Sequence, residues 1–209
     1  MFSLVIPTLW RSKRIFTLID KAINHPLITD LILIDNNQQY YNYFDSVPEK
    51  LNLIIPEENL YVNPSWNLGI SKAQSNYIGL CNDDIDFDFV LLELLTSQPD
   101  LLSDKIVGMH SQNYHIDSIG EIKLVPTGGI RNWGWGCLIL FDKKNWINIP
   151  EDIKVWYGDD FIFNDNPVHC YNLEGFPILT EMSTTSDSNE FDTIKQQDQI
   201  NYNIWKNSH

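Results

Sequence analysis

The sequence predicts an α/β fold: a mixed, mainly parallel sheet flanked by helices, with a smaller antiparallel part in its second half. Three observations predict it. Short apolar runs alternate with helix-periodic segments through the first third of the chain, in the order strand, helix, strand, strand, helix, strand. Polar clusters follow several of those runs directly: Thr8, Asp35 and the group Asn82, Asp83 and Asp84. In open α/β sheets the carboxyl ends of the strands are where ligands bind. Finally, 43% hydrophobic and 12% aromatic residues supply a real core and exclude a disordered chain.

Each element has a local reason. Residues 2–6 form a continuous apolar run ended by Pro7. Residues 13–24 carry Ile15, Leu18, Ile19, Ala22 and Ile23 at helical spacing. Residues 31–34 and 51–55 read as strands, and 64–74 as a helix with Trp66, Ile70 and Ala73 on one side. Residues 77–81 form a further strand. Beyond it, residues 89–95 read as helix, 106–110 as strand, and 112–125 as a hairpin turning near Gly120. The Gly- and Trp-rich residues 126–136 read as an ordered loop. Residues 137–141 read as a buried strand and 143–147 as a short helix. Residues 158–164 open another helix; 168–171 and 178–179 read as short strands; 183–189 form a polar, mobile loop; 191–205 form a terminal helix. There is no internal repeat and no domain linker, so residues 1–209 are expected to form one domain.

The charge is strongly acidic, with 14 basic against 28 acidic residues and a net charge of −14. That excludes a general nucleic-acid binder, which needs a basic face. It leaves a nucleotide ligand open, because a divalent cation can supply the positive charge. Cys81, Cys137 and Cys170 lie in apolar contexts without a C-x-x-C pair, the pattern of buried free thiols in a reducing compartment. The apolar residues 2–6 stop at Pro7 with no cleavage-like segment after them, so no signal peptide is expected, and no stretch reaches the ~18 apolar residues of a membrane span. The expectation is a soluble cytoplasmic protein.

Three constellations carry chemistry. The run from Asn82 through Asp83, Asp84, Asp86 and Asp88 concentrates negative charge. It fails as an EF-hand, because Phe89 and Leu95 stand where the glycine and closing glutamate belong. It reads either as a solvated acidic loop or as a strand-end motif offering one or two oxygens to Mg²⁺ or Mn²⁺. Asp159 and Asp160, after Trp156, Tyr157 and Gly158, read either as a favourable helix start or as a general base made more basic by aromatic neighbours. Gly128, Gly129, Trp133 and Trp135, with Trp156, read as a tight turn with core tryptophans or as a carbohydrate site. The phosphate loop, dinucleotide fingerprint, nucleophile elbow and zinc-protease spacing are all absent. His110 and His115 remain either structural residues or a further metal ligand.

The segments Val5-Ile6-Pro7-Thr8, Leu33-Ile34-Asp35-Asn36-Asn37, Glu58-Asn59-Leu60, Asn67-Leu68-Gly69-Ile70 and Tyr77-Ile78-Gly79-Leu80-Cys81-Asn82-Asp83-Asp84 occur in a familiar order and spacing. With residues 134–141 and Gly158-Asp159-Asp160, the chain resembles family 2-like glycosyltransferases over roughly residues 3–165. A fainter likeness is to compact glycosyltransferases of large DNA viruses and bacteria. The resemblance implies the GT-A, Rossmann-like fold, with a nucleotide-sugar half at about residues 1–100 and an acceptor half at about 101–209. It implies that Pro7 and Thr8 lie along the nucleoside, that Asp35 contacts the base or ribose, and that Asn67 approaches the nucleotide. Asn82, Asp83 and Asp84 correspond to the D-x-D motif, with Asp84 the metal ligand. Asp160 corresponds to the catalytic base, and Asp159 to the Glu that touches the acceptor.

The implied activity is metal-dependent, inverting transfer of a sugar from a nucleoside-diphosphate sugar, UDP favoured, to a hydroxyl on a glycan, lipid or glycoprotein. Gly129, Trp133, Trp135 and Trp156 are the candidate acceptor residues. The sequence departs from the family at Asn82, which carries no charge, and at Trp66, where many members have Arg. Acceptor recognition is expected from residues 183–189, the terminal helix or a partner. A non-catalytic carbohydrate-binding or virion-associated protein is the alternative. A sugar-1-phosphate nucleotidyltransferase would want a Gly-rich basic N-terminal loop, and only Arg11, Lys13 and Arg14 stand there.

Overall fold

The computed structural model describes residues 1–165, 169–181 and 191–208. Its first half runs β1 (Phe2–Thr8), α1 (Arg14–Asn24), β2 (Ile28–Asp35), the one-turn α2 (Tyr40–Tyr43), β3 (Leu51–Ile54), α3 (Val62–Lys72), β4 (Tyr77–Cys81), β5 (Ile85–Asp86) and α4 (Val90–Ser97). The second half adds β6 (Lys105–Met109), β7 (Lys123–Pro126), β8 (Leu138–Asp142), α5 (Gly158–Asp165), β9 (His169–Glu174), β10 (Leu179–Thr180) and α6 (Asp192–Ser208).

One eight-stranded sheet has the order β3-β2-β1-β4-β8-β6-β9-β7. The β1, β2, β3 and β4 strands are mutually parallel, as are β6 and β9. The β8 strand runs antiparallel to both β4 and β6, and β7 runs antiparallel to β9. A separate antiparallel ribbon pairs β5 with β10. This is the mixed, mainly parallel α/β architecture that the sequence predicts.

Side-chain alternation divides the core into two layers, because successive residues of a strand face opposite sides. Leu4, Leu31, Leu33, Leu138 and Leu140 pack with α1 and α4 on one face of the sheet. Val5, Ile32, Ile34, Ile139 and Phe141 pack with α3, α5 and α6 on the other. The inner face of α1 is Ile15, Leu18, Ile19 and Ala22, at the spacing of an amphipathic helix. Gly69 lets α3 approach β1, since a Cβ there would lie 2.2 Å from Val5 Cγ1. Cys81, Cys137 and Cys170 are buried free thiols, as their apolar contexts predict.

Four local expectations are corrected. Residues 112–125 do not form a hairpin. Ser111–His115 is a 3-10 turn, and β7 pairs instead with β9. The cause is non-local: buried Asn113 donates to Leu173 O at 2.8 Å, and its carbonyl accepts from Ile178 N at 2.9 Å. The predicted helix at 143–147 is only a 3-10 turn, Lys143–Asn145. The β2 strand begins earlier than expected, at Ile28, and α2 was not anticipated. The expected loop 183–189 and the start of the strand at Val168 lie outside the described residues.

Candidate active site

A cleft of about 430 Å³ opens at the carboxyl ends of β1 and β4. Because β8 runs antiparallel to β4, its leading end arrives at that same edge, and Asn82 N donates to Cys137 O at 2.9 Å. Residues from both halves of the chain therefore face one space.

The near wall is built on β1 and β4. Thr8 accepts from Trp10 N at 2.8 Å and donates its hydroxyl to Asp83 Oδ2 at 2.6 Å. Burial pushes the Asp83 carboxyl up to about 6; the neighbouring Asp84 adds to the shift and the Thr8 bond opposes it. Asp84 is buried, at 7% exposure, and lines the cleft beside Asp83. Trp66 also lines it, and its buried Nε1 has no hydrogen-bond partner among the described residues. Asp86 points elsewhere, paired with Lys21 of α1.

The far wall is the start of α5. Arg131 spans its two carboxylates: Nη1 meets Asp159 Oδ2 at 2.7 Å, and Nε meets Asp160 Oδ1 at 2.9 Å. Burial raises the Asp159 carboxyl above its ordinary value, against the pull of the Arg131 charge. The segment leading into α5 is held from two sides. Buried Asp198 of α6 accepts from Lys154 N, Val155 N and Trp156 N at 2.7, 2.7 and 2.9 Å. Asn63 of α3 donates to Ile153 O at 3.1 Å. Within this frame Tyr157 adopts φ +65°, and Tyr61, which also lines the cleft, adopts φ +64°. Left-handed backbone at a bulky residue costs roughly 1–3 kcal/mol and persists only where the surroundings enforce it, often at functional sites.

Of the candidate residues, Pro7, Thr8, Asn82, Asp83, Asp84, Trp156, Asp159 and Asp160 come together around the cleft. Five do not line it. Asp35 is fully buried, and its carboxylate accepts from Trp10 Nε1 and Tyr40 N, both at 2.7 Å. Asn67 clasps the backbone of Ile149, donating at 2.8 Å and accepting at 3.1 Å. Trp135 is buried in the core beneath Gly108, where a Cβ would lie 2.3 Å from its ring. Trp133 is 56% exposed with its edge against Tyr114. Gly129 sits in an open turn at φ +83°. His110 and His115 also lie away from the cleft; His110 faces Glu174 at 3.8 Å.

Sequence reasoning missed Arg131, Tyr61, Phe191 and Asp198. Only Arg131 carried a signal: a lone cation between two glycine-rich clusters of an acidic chain. Phe191 joins Tyr61 and Trp156 in an aromatic group at the rim, with ring centroids 6.3 and 6.2 Å away.

The donor set suits a hard divalent cation in one respect. Asp83 and Asp84 are adjacent carboxylates whose mutual repulsion a cation would relieve. Among the described residues no group of three or more His, Cys, Asp or Glu converges, so ligand phosphates or water would complete such a shell.

No protein-family model matches the sequence, and no curated protein sequence matches it. The fold does have solved counterparts. The chain is similar to S. aureus TarS 1-349, with TM-score 0.63, 13% identity, and coverage of 85% of this chain and 59% of that one. Against the longer TarS structure the TM-score is 0.61, at 14% identity, covering 85% of this chain and 36% of TarS. A TarS 1-349 structure in complex with UDP-GlcNAc matches at TM-score 0.63 and 13% identity, covering 95% of this chain and 65% of that one. The chain thus spans 59–65% of the shorter TarS structures and 36% of the longer. At these identities the likeness establishes architecture: the chain has the GT-A-like α/β fold of glycosyltransferase structures.

Proposed function

We propose that the protein is a nucleotide-sugar glycosyltransferase whose donor and acceptor meet in the cleft between β4 and α5. The observation that carries this reading is the pairing of carboxylates across one space: Asp83 and Asp84 on one wall, Asp159 and Asp160 on the other. Solved complexes of TarS with UDP and UDP-GlcNAc support a uridine donor on the same architecture.

In this reading the nucleoside lies along Pro7 and Thr8, towards Tyr61, and the diphosphate reaches Asp83 and Asp84. A bound Mn²⁺ or Mg²⁺ on Asp84, with Asp83, would supply Lewis-acid stabilisation of the departing diphosphate. Thr8 fixes the Asp83 carboxylate through its hydroxyl. Asp160 accepts the proton of an acceptor hydroxyl on a glycan, lipid or glycoprotein. That oxygen attacks the anomeric carbon opposite the leaving group, and the configuration inverts. Asp159, half-buried beside it, orients the acceptor. The Asp198 and Asn63 bonds hold the approach to α5 so that both carboxylates keep their positions.

Thermal stability with UDP, GDP, dTDP and CDP, each with and without Mn²⁺, tests the donor site. A ligand at ~100 times its dissociation constant adds about 2.7 kcal/mol. The expected result is metal-dependent stabilisation by UDP, followed by release of UDP from a UDP-sugar when acceptor is supplied. No shift with any nucleotide would overturn the reading; nucleotide binding without turnover would favour a non-catalytic binder.

A further inference from the structure

Among the described residues lining the cleft, four are aspartates and one, Arg131, is a cation. Its fork does not close on a single carboxylate. It divides between Asp159 and Asp160, one nitrogen to each. A guanidinium carries five N–H donors, so this arrangement leaves others available. The Nε–H of Arg131 donates to Asp160 Oδ1 at 2.9 Å and so occupies an oxygen that an acceptor hydroxyl would use. For Asp160 to take a proton, the contact has to loosen. A nucleoside-diphosphate donor brings the one competing anion that suits a guanidinium, which binds phosphate oxygens in forked geometry.

The backbone around Arg131 suits such an exchange. Gly128 and Gly129 precede it at φ +62° and +83°, with open space around both Cα atoms, and Gly134 follows at φ +75°. Glycine makes these torsions accessible at little steric cost. Arg131 itself is exposed, with 34% of its side chain open to solvent, and it lines the cleft.

Resting on the glycosyltransferase reading above, we infer that Arg131 is an exchangeable counterion. In the free protein it restrains Asp159 and Asp160. When the donor enters, it moves to the diphosphate, stabilises the leaving group and releases Asp160 as the base.

Calorimetric titration of the full chain with UDP and with uridine, both in Mn²⁺, tests this directly. Their affinity ratio isolates the diphosphate. Arg131→Gln is expected to reduce that ratio at least tenfold while leaving uridine affinity unchanged, and Arg131→Lys to restore part of it. The exchange itself is read from a double-mutant cycle. Asp159→Asn with Asp160→Asn frees Arg131, so UDP should bind several-fold tighter; in the Arg131→Gln background that gain should vanish. An unchanged UDP-to-uridine ratio in Arg131→Gln overturns the assignment to the diphosphate. A gain that persists without Arg131 overturns the exchange. If the unaltered protein binds neither ligand, the donor-site reading fails first and this inference falls with it. Uridine and UDP binding with an insensitive ratio removes this inference alone.

Discussion

The side chain of Asn63 fills the space that a side chain on Gly158 would need: a Cβ there would lie 2.1 Å from Asn63 Oδ1. The same asparagine holds the preceding segment, donating its amide to Ile153 O at 3.1 Å and its backbone N–H to Lys154 O at 2.9 Å. Helix α3 thereby sets where α5 begins, and α5 begins with the two cleft carboxylates. Gly158→Ala is expected to destabilise the protein by about 1–3 kcal/mol, the usual cost of overpacking, and to lower the proposed transferase activity more than stability alone explains. Chemical denaturation beside a rate measurement on the folded fraction checks both. An unaltered midpoint would show that Asn63 can swing away.

Asp160→Asn removes the proposed base but keeps the shape of the side chain. Loss of a general base typically costs ~10²–10⁴-fold in rate. The expected outcome is a fall in kcat of that size with UDP affinity unchanged or improved. A loss below tenfold would assign the base elsewhere.

Asp83 carries a pH signature. Its folded pKa of about 6 lies above the ordinary 3.8, so the native state holds a proton that the unfolded state gives up between those values. Stability therefore falls as pH rises through that window, and the deficit is complete above pH 6. One pKa unit corresponds to about 1.4 kcal/mol; with allowance for partial exposure, Asp83→Asn should stabilise the metal-free protein by about 1–2 kcal/mol at pH 7.5. Near pH 4 the two proteins should melt together. A gain that is independent of pH would mean that the carboxylate charge is not its source.

Asp198 receives three backbone N–H groups while fully buried. Truncation to Ala strands those donors, and each unsatisfied buried group costs ~1–3 kcal/mol. Asp198→Ala is expected to lose about 3 kcal/mol or more in urea unfolding, and Asp198→Asn, which keeps one acceptor, less. Equal effects would place the importance of the residue in its charge rather than its geometry.

The strands were legible because their signal is local. The runs at β1, β2 and β4 are apolar on both faces, and polar residues follow where the ligand edge begins. The acidic residues at 83, 84, 159 and 160 were legible because such density is costly without a purpose. What escaped was decided by contacts distant in sequence. Trp133 and Trp135 look equivalent in the chain, yet one is exposed and the other sits under Gly108. Asp35 looks like a ligand residue at a strand end, but Trp10 and Tyr40 take its oxygens. Asn67 is claimed by Ile149 in the same way. The failed hairpin at 112–125 has this origin too, since Asn113 bonds to Leu173. Asp198 was invisible because an acid in a polar terminal helix resembles any solvated residue.

The antiparallel β8 strand has a kinetic corollary. Its pairing of Leu138 with Cys81 waits on a segment that is synthesised after β1 to β4, and chains fold N-terminal parts first as they emerge. A nascent chain that has assembled β1 to β4 holds one rank of carboxylates and lacks the other. The seam between β4 and β8 then closes late in folding, and the cleft closes with it. Amide exchange at Ile139 and Leu140, measured against Val5 and Leu33, would time that event. Until it happens the polypeptide holds one wall of the cleft without the other.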